Sequence, residues 1–164
     1  MNEAEIYANY HFPRWDELPD IELYMDQVVN ILEKNLSVFS KDEKLITPSM
    51  INNYVKQKIV KPPTKKRYDR VHIAYLFVVC ILKRIMPISQ ICEGIEFIMR
   101  SYSVPEVYDM FCTELENSLK ELFADKKTKP FNPSKTTPEV NLIKTVTSAY
   151  ANLVYANYII ENLF

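Results

Sequence analysis

The chain has 164 residues, 48% of them hydrophobic and 25% charged, with a formal net charge of −1. That balance gives one domain, or one domain with an extension, a real core, and excludes a disordered chain. Its single glycine, Gly94, argues against dinucleotide folds, phosphate-cradling loops and strand-rich architectures, all of which use several, and points to an all-helical protein.

The charge is segmental. Residues 1–45 hold four basic and ten acidic residues, a net of −6; residues 46–84 hold nine and one, a net of +8; residues 85–164 hold seven and ten, a net of −3. A basic block between acidic ones is the footprint of a localised anion-binding face.

The N-terminal stretch MNEAEIYANYHFPRW lacks the basic and apolar regions of a signal peptide. Phe12, Trp15 and Leu18 read as an N-terminal clasp on the core. A helix is expected from Pro19 or Asp20, with Asp20 as N-cap and Ile21, Tyr24, Met25, Val28, Val29, Leu32 and Leu36 as its apolar stripe. After the polar turn SKDEK, Thr47 caps a helix with Pro48 at its first position. That helix runs to about Gln57, turning Met50, Ile51, Tyr54 and Val55 inward and Ser49, Asn52, Asn53 and Lys56 outward.

Pro62 and Pro63 stop any helix, so KPPTKKRY is an extended or hairpin-like excursion. Asp69 or Arg70 opens the next helix, whose apolar run Ile73–Leu82 is too short for a bilayer and reads as a buried core helix. Pro87 ends it, and Ser89 begins a short helix. An amphipathic helix follows from about Pro105 to Phe123, then a linker, DKKTKPFNPSKTTP. The last helix, Glu139 to about Asn162, carries Leu142, Val146, Ala149, Leu153, Ala156, Ile160 and Leu163 at heptad spacing, with Lys144 as the only charge between Val140 and Ile160. Such a helix is a bundle centre or a dimer interface.

Cys80, Cys92 and Cys112 fall inside apolar helical patterns and read as reduced thiols of a cytoplasmic protein. With His11 and His72 far apart, no metal site and no cofactor is expected. Nor is an enzyme: no nucleophile–base pair stands at readable spacing, and Glu93 with Glu96, and Glu114 with Glu116, read as helix-surface charges.

Helix, turn, helix, basic excursion, helix is the order of a winged helix-turn-helix. The stretch from Ile46 to Ile95 resembles the DNA-binding half of the mercury-resistance-regulator (MerR) family. Ile51, Asn52, Asn53 and Tyr54 match its second-helix motif, Ile59 and Val60 its apolar pair, and Lys61 to Tyr68 its wing. Ile73, Leu76, Leu82, Ile88 and Ile91 match the helix pair behind the wing. Asn52 stands where that family has a phosphate-binding arginine, Asn53 where it has a tyrosine, and Lys58 where it has the turn glycine. A further resemblance covers roughly residues 12–115. FPRWDELPDIELYMDQV, ITPSMINNYVK and KPPTKKRYDRVHIAYL are similar, in that order, to blocks of a bacterial family known as domain of unknown function 1836, described mainly as predicted DNA-binding regulators.

The resemblances imply a MerR-like winged helix-turn-helix over residues 1–104 of the all-α fold, and the heptad spacing of the last helix adds a helical dimerisation or effector region over 105–164. With the +8 segment placed after a capped polar helix, the reading is sequence-specific transcription regulation by a homodimer on double-stranded DNA. Lys56, Lys58, Lys61, Lys65, Lys66, Arg67 and Arg70 are the candidate phosphate contacts, Ser49, Asn52 and Asn53 the candidate base contacts, and Tyr68 the wing anchor. Leu142, Val146, Leu153 and Ile160 are the candidate dimer seam. Two other readings stand beside this one. One is a protein-interaction module that kept the fold without DNA binding, motivated by Asn52. The other is a small-molecule sensor with a cavity lined by Tyr102, Tyr108, Tyr150, Tyr155 and Tyr158. No membrane partner is expected.

Overall fold

The computed structural model describes residues 2–40, 44–124 and 132–163. Among them are seven α-helices: α1 (Glu3–Ala8), α2 (Met25–Leu36), α3 (Pro48–Lys56), α4 (Arg70–Leu82), α5 (Ile88–Ile98), α6 (Val104–Phe123) and α7 (Pro138–Leu163). The described residues form no strand, only two isolated antiparallel bridges, Leu23 with Tyr68 and Thr64 with Arg67. The fold is all-α. None of these helices is long and apolar enough to cross a membrane. The chain divides into two compact units, Pro13–Glu93 and Met1–Phe12 with Gly94–Phe164, the division falling inside α5.

In the Pro13–Glu93 unit, α4 is the centre. Nine of its residues, from His72 to Leu82, are buried, as its almost charge-free sequence requires. Asp69 caps it by accepting from the His72 N–H at 3.1 Å. α2 packs against α3 and α4, burying Val28, Leu32 and Leu36. Thr47 caps α3 as its sequence predicts, its Oγ1 accepting from the Met50 N–H at 3.2 Å. Lys83 Nζ donates to the Leu45 carbonyl and Arg84 Nη1 to the Phe39 carbonyl. Two of the nine cations of the basic block therefore brace the approach to α3.

One predicted boundary is wrong in an informative way. α2 begins at Met25, not at Pro19 or Asp20, because the segment before it is extended. Leu23 exchanges backbone hydrogen bonds with Tyr68, 2.8 Å in each direction, so these two peptide groups are satisfied in a ladder instead of a helix. Leu23 is buried, while Ile21 and Tyr24, expected on the apolar stripe, are 65% and 50% exposed.

In the other unit, α1 packs on α6 and α6 on α7. Asn2 and Glu5 form a capping box that starts α1. Tyr7 meets Phe123 at 4.9 Å between ring centroids, and Phe123 meets Tyr155 and Tyr158 at 5.1 and 5.3 Å. Glu116 accepts from the Phe12 N–H at 2.8 Å, and Lys144 pairs with Glu114 at 3.3 Å. Phe12 belongs to this unit, whereas Trp15 and Leu18, the rest of the expected clasp, belong to the first. A Cβ on Gly94 would stand 3.3 Å from Leu142 Cδ2, so glycine permits the close approach of α5 to α7 there.

The α7 face that enters this core is Ile143, Thr147, Tyr150, Ala151 and Val154. The heptad stripe is a neighbouring face. Leu142, Val146 and Leu153 are half-buried, Ala149 and Ala156 exposed, and Ile160 and Leu163 60% and 73% exposed. Residues 41–43 of the polar turn SKDEK and residues 125–131 of the linker DKKTKPFNPSKTTP lie outside the described residues, and the rest of the linker holds a 3-10 turn at Pro133–Lys135.

Candidate nucleic-acid interface

The site is built on α3 and the chain that follows it. Ser49, Asn52, Asn53 and Lys56 all lie on the exposed face of α3, opposite buried Ile51 and Tyr54. The helix ends in a Schellman motif: the Lys58 N–H donates to the Val55 carbonyl at 3.1 Å and the Ile59 N–H to the Tyr54 carbonyl at 2.8 Å. That motif needs a left-handed residue after the cap, normally glycine. Here it is Lys58, at φ 60°.

Val60 is buried and Ile59 half-buried, returning the chain to the core. The Lys61 carbonyl lies 3.1 Å from His72 Nε2, so the buried imidazole at the start of α4 ties down the entry to the basic excursion. The excursion is a two-residue hairpin. Thr64 and Arg67 exchange backbone hydrogen bonds of 2.9 and 3.2 Å, and between them Lys65 and Lys66 sit at φ 49° and 63°. Positive φ at both central residues defines the type I′ turn, whose strand-matching twist usually selects Asn-Gly. Among the described residues, the non-glycine positions with positive φ are Lys58, Lys65 and Lys66. All three are exposed.

Tyr68 follows the hairpin. It is buried, pairs with Leu23, and meets the His72 ring edge-on at 5.4 Å. Burial raises its phenol pKa, which keeps it neutral at ordinary pH.

The predicted basic residues are therefore brought to one stretch but are not equivalent. Lys56, Lys58, Lys61, Lys65, Lys66 and Arg67 are exposed. Arg70 is half-buried, its guanidinium 5.4 Å from the Trp15 ring centroid and its Nε 3.4 Å from the Pro19 carbonyl. It holds the N-terminal segment to the start of α4. Arg67 reaches Tyr24: its Nη2 donates to the tyrosine hydroxyl at 2.9 Å, with Cζ 4.9 Å from the ring centroid. Sequence reading placed Tyr24 in a helical core stripe and missed it. The available signal was the alternation Asp20-Ile21-Glu22-Leu23, which suits extended chain.

Of the tyrosines expected to line a cavity, Tyr102 is half-buried, and Tyr155 and Tyr158 stack on each other at 6.3 Å between ring centroids. Tyr108 and Tyr150 are buried, and Tyr155 and Tyr158 close on Phe123.

The family model described as Domain of unknown function (DUF1836) matches residues 13–111. The chain belongs to the DUF1836 family. No curated protein and no solved structure matches it. The DUF1836 region contains Leu23, Tyr24, α3, the basic hairpin and α4, and α7 lies beyond it.

Proposed function

We propose that this DUF1836 protein is a sequence-specific DNA-binding transcriptional regulator, cytoplasmic and without enzymatic activity, that acts as a homodimer. In this reading residues 13–93 work as a MerR-like winged helix-turn-helix. α3 is the recognition helix, with Ser49, Asn52 and Asn53 toward base edges, and Lys65, Lys66 and Arg67 form a wing on the phosphates.

The observation that carries the reading is the backbone under the three lysines. A non-glycine residue in the left-handed region costs about 1–2 kcal/mol. Glycine or asparagine would relieve that at Lys58, Lys65 and Lys66, which are all exposed. Keeping a long cation at three strained, exposed positions makes physical sense where the charge itself is used, and a polyanion is the partner that uses it. The apolar stripe of α7, with Leu142, Val146 and Leu153 half-buried and Ile160 exposed, supports pairing with a second copy, which would supply two half-sites.

Selection of bound sequences from random double-stranded DNA tests this reading. A recovered motif with inverted half-sites is the expected result, and absence of any binding by pure protein at about 50 mM salt contradicts it. Asn52, where the MerR pattern has an arginine, favours the alternative of an interaction or sensing module without DNA binding. That alternative predicts that Lys65→Glu with Arg67→Glu leaves the cellular phenotype unchanged.

A further inference from the structure

The N-terminal segment before α2 is joined to the wing by register. Leu23 and Tyr68 form a hydrogen-bonded antiparallel pair. The next pair outward in that register is Tyr24 opposite Arg67, at the non-hydrogen-bonded position where side chains stand closer. Their side chains do meet, by the 2.9 Å hydrogen bond and the ring contact at 4.9 Å. Tyr24 is itself fixed, because its N–H donates to Gln27 Oε1 at 2.9 Å at the start of α2. Half of its surface remains open.

We infer that Tyr24 is a positioning residue of the interface, holding the Arg67 guanidinium in place for a DNA backbone phosphate. The inference rests on the DNA-binding reading above and deepens it. A free arginine must give up side-chain freedom when it grips a phosphate. One already held by a ring and a hydroxyl gives up less, and its planar fork still presents further N–H donors for a bidentate contact. Tyr24 brings a ring and a hydroxyl in place of a cation, so its contribution differs in kind from that of the lysines. It strengthens binding without releasing a counterion.

The test is a double-mutant cycle on a duplex recovered by selection from random DNA, with each variant's thermal melt recorded to confirm folding. Tyr24→Ala should weaken binding about fivefold and leave the salt slope unchanged, while Arg67→Ala should make the slope shallower by about one unit. In the Arg67→Ala background, Tyr24→Ala should change Kd by less than about twofold. Tyr24→Phe, which keeps the ring and loses the hydroxyl, should fall between wild type and Tyr24→Ala. If wild type binds DNA but Tyr24→Ala binds equally well, or loses as much without Arg67 as with it, the positioning role is overturned and the regulator reading stands. If wild type binds no DNA, the regulator reading falls and this inference falls with it.

Discussion

Leu23 and Tyr68 lie 45 positions apart in sequence and exchange two backbone hydrogen bonds of 2.8 Å. This pair fixes the outgoing arm of the basic hairpin to the chain before α2, which is what the proposed wing requires. The Tyr68 amide should therefore resist hydrogen exchange, while the Lys65 and Lys66 amides at the turn exchange quickly. Leu23→Pro removes one donor of the pair and should cost about 1–3 kcal/mol. Tyr68 protection should fall with it. Unchanged protection in Leu23→Pro would show that the bridge does not hold the wing.

The Lys65–Lys66 turn is expected to be less stable than the backbone allows. Replacing it by Lys65→Asn with Lys66→Gly supplies the residues a type I′ turn prefers. Stability should rise by about 1–2 kcal/mol, which for a chain this size is a melting shift of about 3–6 °C. A lower melting temperature would mean that the lysines stabilise the turn through contacts of their own, and the strain argument would fail.

Asp69 gives a prediction in pH. Burial pushes its carboxyl upward, but the His72 backbone N–H, the charge and ring hydrogen bond of His72, and the Val71 N–H outweigh it, so its pKa is lowered. A carboxylate lowered on folding contributes stability above its unfolded pKa and loses it as pH falls through the folded value. Asp69→Ala should cost about 1 kcal/mol at pH 7 through loss of the cap. The gap from wild type should shrink as pH drops below about 4. Thermal melts across pH 7 to 3 measure this; a gap that stays constant contradicts it.

The cysteines should differ in reactivity. Burial pushes the Cys80 thiol up to about 12, against a smaller opposing effect of the Lys83 charge. Cys112 is also buried, and Cys92 is half-buried. Alkylation of the native protein near pH 8, followed by mass spectrometry, should modify Cys92 first and leave Cys80 unmodified until the chain unfolds. Early modification of Cys80 would contradict the buried position of α4.

How much of this could be read from sequence depended on whether the signal was local. Thr47-Pro48 at the start of α3, the double proline after it and the apolar run of α4 are local, and each appears where expected. Membership of DUF1836 was equally legible, because its blocks are contiguous. α1 was overlooked although Asn2 and Glu5 carry a capping-box pattern. The extended segment at Leu23 was misread because Ile21, Tyr24, Met25 and Val28 also fit helical spacing, and only the long-range pair with Tyr68 decides between the two periods. The left-handed lysines could not be read at all. Residue identity argues against positive φ there, and the turn geometry overrides it. On α7 the heptad spacing singles out one stripe, but the chain's own core takes the adjacent face through Ile143, Tyr150 and Val154.

The most direct test of the central claim, that the strained lysines are kept for a polyanion, is the salt dependence of DNA binding by wild type and by Lys65→Asn with Lys66→Gly. With about six phosphates neutralised, wild type should lose about a thousandfold in affinity between about 50 and 200 mM salt. The variant should melt higher, bind more weakly, and show a slope shallower by about two units. A variant with the wild-type slope and affinity, or a wild type that binds no DNA at low salt, would contradict the claim.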